Sequence, residues 1–343
     1  MPRILFGVSP IGLGHATRAL VLSAELERRG VEVRLFSGGK AADFISSQGV
    51  HVDNIVDDAG PRIVGGVMSQ VALWYIKSWF ALRRTEGRTR RLLDLYNPDL
   101  VVCDEEFSGV TVAGKRGGKR VFVADELTLG FARTWFARKI EERVEGWYNN
   151  LLSSVDLLLV PEFGSDSGNR RFVGPIVRAP TLSCQATREK YGLPPGRLVL
   201  FSMSGSGVGR EFVARLMADL KGTGVPAPYL VVTGNRGVKF EGEGVYDLGL
   251  VGDNQNLVSC ADLVVSTAGK STIDEAAAAG TPVVTIPIRY HAEQERNAKV
   301  LGYAYEDLGR LPELLAQKLG RREEPRTFRG ELAAAEAILS LLQ

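Results

Sequence analysis

Short apolar runs alternate along the chain with stretches in which hydrophobic residues recur every three to four positions. The runs at 3–8, 31–36, 100–103, 120–123 and 157–160 are each bounded by turn or polar residues and read as buried strands. Between the first two, Ala19, Leu22 and Leu26 fall at helical spacing and Gly30 closes the element, so 15–29 is expected to be a helix. Strands alternating with helices in this way predict an α/β fold with parallel sheets covered on both faces. A Gly/Ser/Asn/Pro-rich passage at 164–180 interrupts the alternation, which restarts at 198–202, 229–232, 263–266 and 283–286. The pattern divides the chain into a domain at 1–165, a linker at 166–180, a second domain at 181–327 and a closing helix within 328–343.

Composition refines this picture in three places. At 343 residues, 45% hydrophobic and 24% charged, the chain has room for two cores and the balance of a soluble globular enzyme, so two Rossmann-like domains facing across a cleft are expected. A formal net charge of +2 is not that of a basic body built to coat nucleic acid, and no nucleic-acid partner is expected. Cys103, Cys184 and Cys260 are widely spaced in or beside apolar runs. They are expected to form neither a metal set nor a disulfide framework, as suits a reducing cytoplasm. The apolar opening passes at once into a Gly/His loop and reads as a first strand, not a signal peptide. The other long apolar stretch, 71–82, is broken by Lys77 and falls short of the roughly 18 residues of a membrane span.

Three constellations carry candidate chemistry. The first is Gly12-Leu13-Gly14-His15-Ala16-Thr17-Arg18, where a strand gives way to a helix at the carboxyl edge of a sheet, the place where open α/β folds bind ligands. Thr17 stands where a dinucleotide fingerprint needs its third glycine, which rejects a nicotinamide or flavin cofactor. The glycines allow a tight turn that leaves His15 facing the crevice, where a neutral imidazole can accept a proton. A helix-capping or buried histidine is the alternative. The second constellation, Ser204-Gly205-Ser206-Gly207 after the strand 198–202, can cradle phosphate oxygens with its backbone amides. A turn without ligand has the same composition.

The third is the most specific. A buried strand ends at Ser266, and Gly269-Lys270-Ser271-Thr272 opens a helix whose free amides and hydroxyls form an anion site, with Glu275 about one turn further in to accept ribose hydroxyls. Val264 occupies the position where a nucleotide-triphosphatase loop needs glycine, so that reading fails. Glu293, Gln294, Asn297 and Ala298 follow.

Taken in this order, the three constellations resemble glycosyltransferases of the GT-B architecture, and the resemblance covers nearly the whole chain. It is nearest to the branch holding the bacterial lipid-linked N-acetylglucosaminyltransferase of peptidoglycan synthesis and archaeal and bacterial transferases with a GxGHxxR opening. The resemblance implies an amino-terminal domain for the acceptor and a carboxy-terminal domain for a sugar nucleotide, usually UDP-linked. It implies that Glu275 holds the ribose, Ser271 and Thr272 contact the diphosphate, and Glu293 and Gln294 contact the donor sugar. His15, in the acceptor loop with Gly12, Gly14 and Arg18, matches a general base, paired in some relatives with an aspartate in the place of Asp104. Asp104-Glu105-Glu106 reads equally well as a solvated acidic loop. Lys270 stands where relatives often carry a small or aromatic residue and is expected to add a charge contact to phosphate. The loop before His15 lacks the dense glycines of the peptidoglycan enzyme, which leaves the acceptor open.

The expectation is an inverting sugar transfer from a nucleoside diphosphate to an acceptor hydroxyl, with no metal, and with the sugar nucleotide as substrate instead of a cofactor. A UDP-sugar 2-epimerase-like isomerase and a non-catalytic nucleotide-sugar-binding protein are the alternatives. Trp74, Tyr75, Trp79 and Phe80 beside Arg83, Arg84, Arg88, Arg90 and Arg91 suit docking on an anionic membrane. A core helix with a solvated basic face suits the pattern as well. The expected setting is the cytoplasm, with peripheral attachment at the inner face of the cell membrane.

Overall fold

The computed structural model describes residues 1–125, 129–203, 229–234 and 240–343. The chain divides into two compact units: Met1–Arg62, Gln70–Val177 and Phe328–Gln343 form the first, Ile63–Ser69 and Arg178–Thr327 the second.

In the first unit, seven described strands pair in parallel: β1 (Arg3–Val8), β2 (Glu32–Ser37), β3 (Val52–Asn54), β6 (Leu100–Asp104), β7 (Arg120–Val123), β8 (Leu157–Val160) and β9 (Arg170–Phe172), in the order β3-β2-β1-β6-β7-β8-β9. Successive residues of a strand point to opposite faces, and the core divides accordingly. Ile4, Phe6 and Val8 join the cluster beneath α1 (Leu13–Arg28) and α2 (Gly39–Ser47). Leu5, Val101 and Phe122 join the one beneath α3 (Val71–Tyr96), α4 (Phe107–Lys115) and α5 (Trp135–Ser154).

Residues 166–177 are not a linker: β9 extends the sheet beyond β8, with Leu159 level with Arg171. The closing helix does not stand apart either. It spans Gly330–Leu339 and buries Ala334, Ala335 and Ile338 in the α1 cluster of the first unit. Gly330 lies so near the backbone that a Cβ there would meet the Gly174 carbonyl oxygen at 2.3 Å, which explains why this position carries no side chain.

The main sheet of the second unit holds five described strands: β10 (Leu198–Ser202), β11 (Tyr229–Thr233), β12 (Val245–Gly249), β13 (Leu263–Ser266) and β14 (Val283–Thr285), parallel and ordered β12-β11-β10-β13-β14. The unit's described helices include α6 (Cys184–Tyr191), α7 (Asn254–Cys260), α8 (Lys270–Ala279), α9 (Ala292–Val300) and α10 (Leu311–Lys318); the closing helix of the first unit, Gly330–Leu339, is α11. A short ribbon, β4 (Arg62–Val64) and β5 (Val67–Ser69), also belongs to this unit, and Met68 donates its amide to the Arg289 carbonyl at 2.9 Å.

Contrary to expectation, two of the three cysteines are paired. Cys184 and Cys260 form a disulfide between α6 and α7, with Cα atoms 4.7 Å apart, because these helices pack together although their cysteines lie 76 residues apart in sequence. Cys103 is a buried thiol, and burial pushes its pKa up. The disulfide removes the support that the cysteines lent to a reducing compartment. Among the described residues, no helix is long and apolar enough to cross a membrane.

Candidate active site

The first sheet reverses its strand order at β1: β2 and β3 lie to one side of it, and the chain then returns to place β6 on the other. Ligands of open α/β sheets bind outside the carboxyl ends of the strands at such a reversal. The register puts Val8 level with Asp104, and the Ser9 amide donates to the Asp104 carbonyl at 2.9 Å. Gly12 then turns the chain with φ 82°, a left-handed conformation that glycine adopts without strain, and α1 begins at Leu13. Gly14 lies inside the first helical turn. His15 and Arg18, one turn apart on α1, are delivered to Asp104.

The contacts are close. His15 Nδ1 lies 2.8 Å from Asp104 Oδ1. Arg18 donates from Nε to Asp104 Oδ2 and from Nη2 to Oδ1, each at 2.6 Å, and its Nη1 donates to Asp125, just beyond β7. Arg18 Nη2 is also 3.0 Å from His15 Nδ1. That nitrogen cannot both donate to a carboxylate and accept from a guanidinium. With Asp104 at hydrogen-bond distance, the proton resides on Nδ1, and the neutral ring presents Nε2 as its acceptor.

The electrostatics follow from these neighbours. Burial disfavours an imidazolium, yet the charge and hydrogen bond of Asp104, with Glu105 beyond, outweigh it and raise the His15 pKa to about 9. Burial would also raise the Asp104 carboxyl, but Arg18 and then His15 hold it below its ordinary value. Asp104-Glu105-Glu106 is therefore no solvated acidic loop. Asp104 and Glu106 are buried, and Glu106 caps α4 by accepting the amides of Ser108 at 2.8 Å and Gly109 at 2.7 Å.

In the second unit the strand order reverses at β10, between β11 and β13, and α8 starts just past the end of β13. The left-handed residue of this turn is Ala268, with φ 61°, not Gly269; Asn297 Nδ2 holds the Ala268 carbonyl at 3.1 Å. No side chain caps α8, so the first-turn amides at Lys270, Ser271 and Thr272 are presented at its positive end. The Lys270 ammonium is paired with Asp274 at 2.5 Å. Glu275 is buried one turn in, and burial raises it to about 7 against the opposing charge of Arg178.

On α9, Asn297 Nδ2 lies 3.5 Å from Glu293 Oε1, and Gln294 accepts the Ile288 amide on Oε1 at 3.0 Å. The structure thus gathers Ser271, Thr272 and Glu275 on α8, just after Gly269, with Asn297 of α9 joined to the same turn. Ser204, Gly205, Ser206 and Gly207 lie outside the described residues. The sequence reading passed over Asp125, Glu105 as a neighbour of His15, and Arg178 beside Glu275. For the first two, a place at or just past the carboxyl end of a central strand was the available signal.

Residues 245–326 match the glycosyltransferase family 28 C-terminal domain. This part of the second unit is a glycosyltransferase domain. Over 325 residues the glycosyltransferase chain is 26% identical to an uncharacterized glycosyltransferase of Methanosarcina acetivorans, covering 87% of this chain and 81% of that protein. It is 25% identical over 293 residues, 82% of this chain and 77% of the other, to the UDP-N-acetylglucosamine–N-acetylmuramyl-(pentapeptide) pyrophosphoryl-undecaprenol N-acetylglucosamine transferase of Actinobacillus pleuropneumoniae. Among solved structures, glycosyltransferase SsfS6 of Streptomyces sp. SF2575, complexed with thymidine diphosphate, is similar with a TM-score of 0.64 over 100% of both chains at 14% identity. The expected α/β fold of the GT-B kind and the transferase class both hold.

Proposed function

We propose that this glycosyltransferase moves a sugar from a UDP-sugar to an acceptor hydroxyl in one inverting displacement that needs no divalent ion. The observation that carries this reading is His15 held by buried Asp104 through Nδ1, with Nε2 left as proton acceptor. Nε2 takes the proton of the acceptor hydroxyl as its oxygen bonds to the anomeric carbon. The bond from that carbon to the diphosphate breaks, and the electron pair leaves with the nucleoside diphosphate. A positioned base of this kind contributes about 10²- to 10⁴-fold in rate.

The departing diphosphate needs donors already in place. In this reading the amides and hydroxyls at the start of α8, Gly269 to Thr272, supply them, with the loop at Ser204, Gly205, Ser206 and Gly207. Glu275 accepts the ribose hydroxyls, and Glu293 and Gln294 hold the sugar. Lys270 steers the anion from its pairing with Asp274. The uridine choice is supported by the donor named for the A. pleuropneumoniae relative.

A lipid-linked acceptor is supported by the undecaprenol in that relative's name and by one surface of the first unit. Trp74 and Tyr75 turn inward, Tyr75 donating to Glu141 at 2.6 Å. Trp79, Phe80, Trp135 and Phe136 are exposed, the last three by 58%, 75% and 60%, with Arg83 stacked on Trp79 and Arg84 exposed nearby in sequence. Aromatic and basic groups together suit the cytoplasmic face of an anionic membrane.

The test is release of nucleoside diphosphate from UDP-, GDP- and TDP-sugars by the parent, His15→Ala and Glu275→Ala chains. His15→Ala is expected to lower kcat by about 10²- to 10⁴-fold with donor Kd unchanged, and Glu275→Ala to weaken donor binding. Full turnover by His15→Ala would refute the base assignment.

A further inference from the structure

Glu105 stands on the other side of the imidazole from Asp104. Its Oε2 lies 3.6 Å from His15 Nε2, and its Oε1 accepts the Asp125 amide at 3.3 Å. The backbone at Glu105 is left-handed, with φ 45°, a conformation that disfavours a residue with a Cβ. The two carboxylates differ in access: the side chain of Asp104 is sealed from water and ion-paired to Arg18, whereas that of Glu105 is 25% exposed. Asp104 can hold the ring but has no route for a proton. Glu105 touches both the reacting nitrogen's surroundings and solvent.

We propose that Glu105 is the proton exit of this site, receiving on Oε2 the proton that His15 Nε2 has taken from the acceptor and passing it to water. The inference rests on His15 being the base. In the relay the Nε2–H bond breaks as an O–H bond forms on Glu105, the ring returns to its neutral form, and Glu105 gives the proton to solvent. No oxidant or further reactant is needed.

Such an exit matters because the imidazolium is held tightly. Asp104 and Glu105 together favour the protonated ring, so a base in this setting regenerates slowly unless an adjacent group takes its proton. Among the described residues, the charged or titratable groups facing Glu105 are His15 and Arg18 from α1, Asp104 from β6 and Asp125 from beyond β7, with Tyr148 of α5 feeling its charge. Burial and the two aspartates raise the affinity of Glu105 for a proton, while His15 and Arg18 oppose them.

Glu105→Gly tests this, because glycine suits the left-handed backbone and the substitution removes the carboxylate without adding backbone strain. Its thermal midpoint is expected to be no lower than that of the parent. The probe is UDP release from UDP-N-acetylglucosamine, measured across pH. Loss of one negative charge moves the acid limb of the profile to lower pH whatever else Glu105 does, so the height of the plateau above that limb is decisive. The expected result is a plateau kcat at least about tenfold lower, unchanged KM, and recovery with added formate, a small carboxylate able to enter the vacated space. A plateau within twofold of the parent, or a lowered plateau that formate leaves untouched, overturns the relay. An inactive His15→Ala alongside a fully active Glu105→Gly would remove the relay and keep the base; an active His15→Ala would remove the base itself.

Discussion

Arg18 and Asp104 meet as a two-pronged ion pair closed to water, with Nε on one carboxylate oxygen and Nη2 on the other, each at 2.6 Å. A buried pair adds little net stability when intact, yet removing one partner strands the other and costs about 3–5 kcal/mol. Arg18→Ala is therefore expected to lower unfolding free energy by about 3–5 kcal/mol in a denaturant titration. Arg18→Lys keeps the charge but loses the fork, and is expected to fall between the two. An Arg18→Ala chain as stable as its parent would mean that Arg18 is not the counter-charge that keeps Asp104 buried.

The raised pKa of His15, about 9 against an ordinary 6.5, sets the pH dependence. The working form of a base is the neutral one, so turnover is expected to rise with pH along a limb lying above 6.5. Asp104→Asn removes the strongest support for the imidazolium and should move that limb downward. For stability the sign is opposite: the charged ring stabilises the fold fully below 6.5, and this contribution is lost as pH rises through about 9. His15→Ala should then cost more at acid pH than at alkaline pH. Unfolding titrations at both ends check this; equal losses would show an unshifted histidine.

Glu275 changes stability with pH in the reverse sense from an ion-paired carboxylate. Burial raises it from 4.5 to about 7, so in that window the folded chain keeps a proton that the unfolded chain has lost, and stability without ligand falls as pH rises. Ribose hydroxyls donate to the ionised form. Affinity for UDP-N-acetylglucosamine should therefore increase with pH through about 7, with a proton released on binding just below it. Calorimetry in buffers of different ionisation heat measures that proton, and its absence would remove Glu275 from the ribose.

The exposed aromatic and basic surface on α3 and α5 predicts cosedimentation with vesicles containing phosphatidylglycerol, weakened by salt. Trp79→Ser combined with Phe80→Ser should reduce bound protein severalfold, with donor hydrolysis unchanged. Equal binding to neutral and anionic vesicles would dismiss the electrostatic part of the docking.

Ile338 is fully buried against the α1 core. Ile338→Ala is expected to cost about 2–5 kcal/mol, as for a large aliphatic side chain cut back in a packed core. A cost below about 1 kcal/mol would show that α11 packs loosely there.

Central strands were legible because residues buried on both faces form unbroken apolar runs, as at 3–8, 198–202 and 263–266. Of the edge strands, apolar β14 was legible at 283–286, but β9 and β12 were not. β9 carries two arginines, and β12 is only half buried throughout, so neither shows the apolar signature. The His15–Asp104 approach was readable because both lie at or just past the carboxyl ends of adjacent strands in a parallel sheet. Arg18 was seen only as part of the opening motif, since its partners Asp104 and Asp125 are 86 and 107 residues away and no spacing announces them. The disulfide was missed for the same reason: proximity of Cys184 to Cys260 arises from helix packing, not sequence distance.

The return of residues 330–339 to the first unit has a consequence for biosynthesis. The amino-terminal half emerges first from the ribosome but lacks a piece of its own interior until residues 330–339 have been made. Its hydrophobic groove over α1 stays open throughout translation of the second unit, a period in which holding chaperones have a surface to recognise.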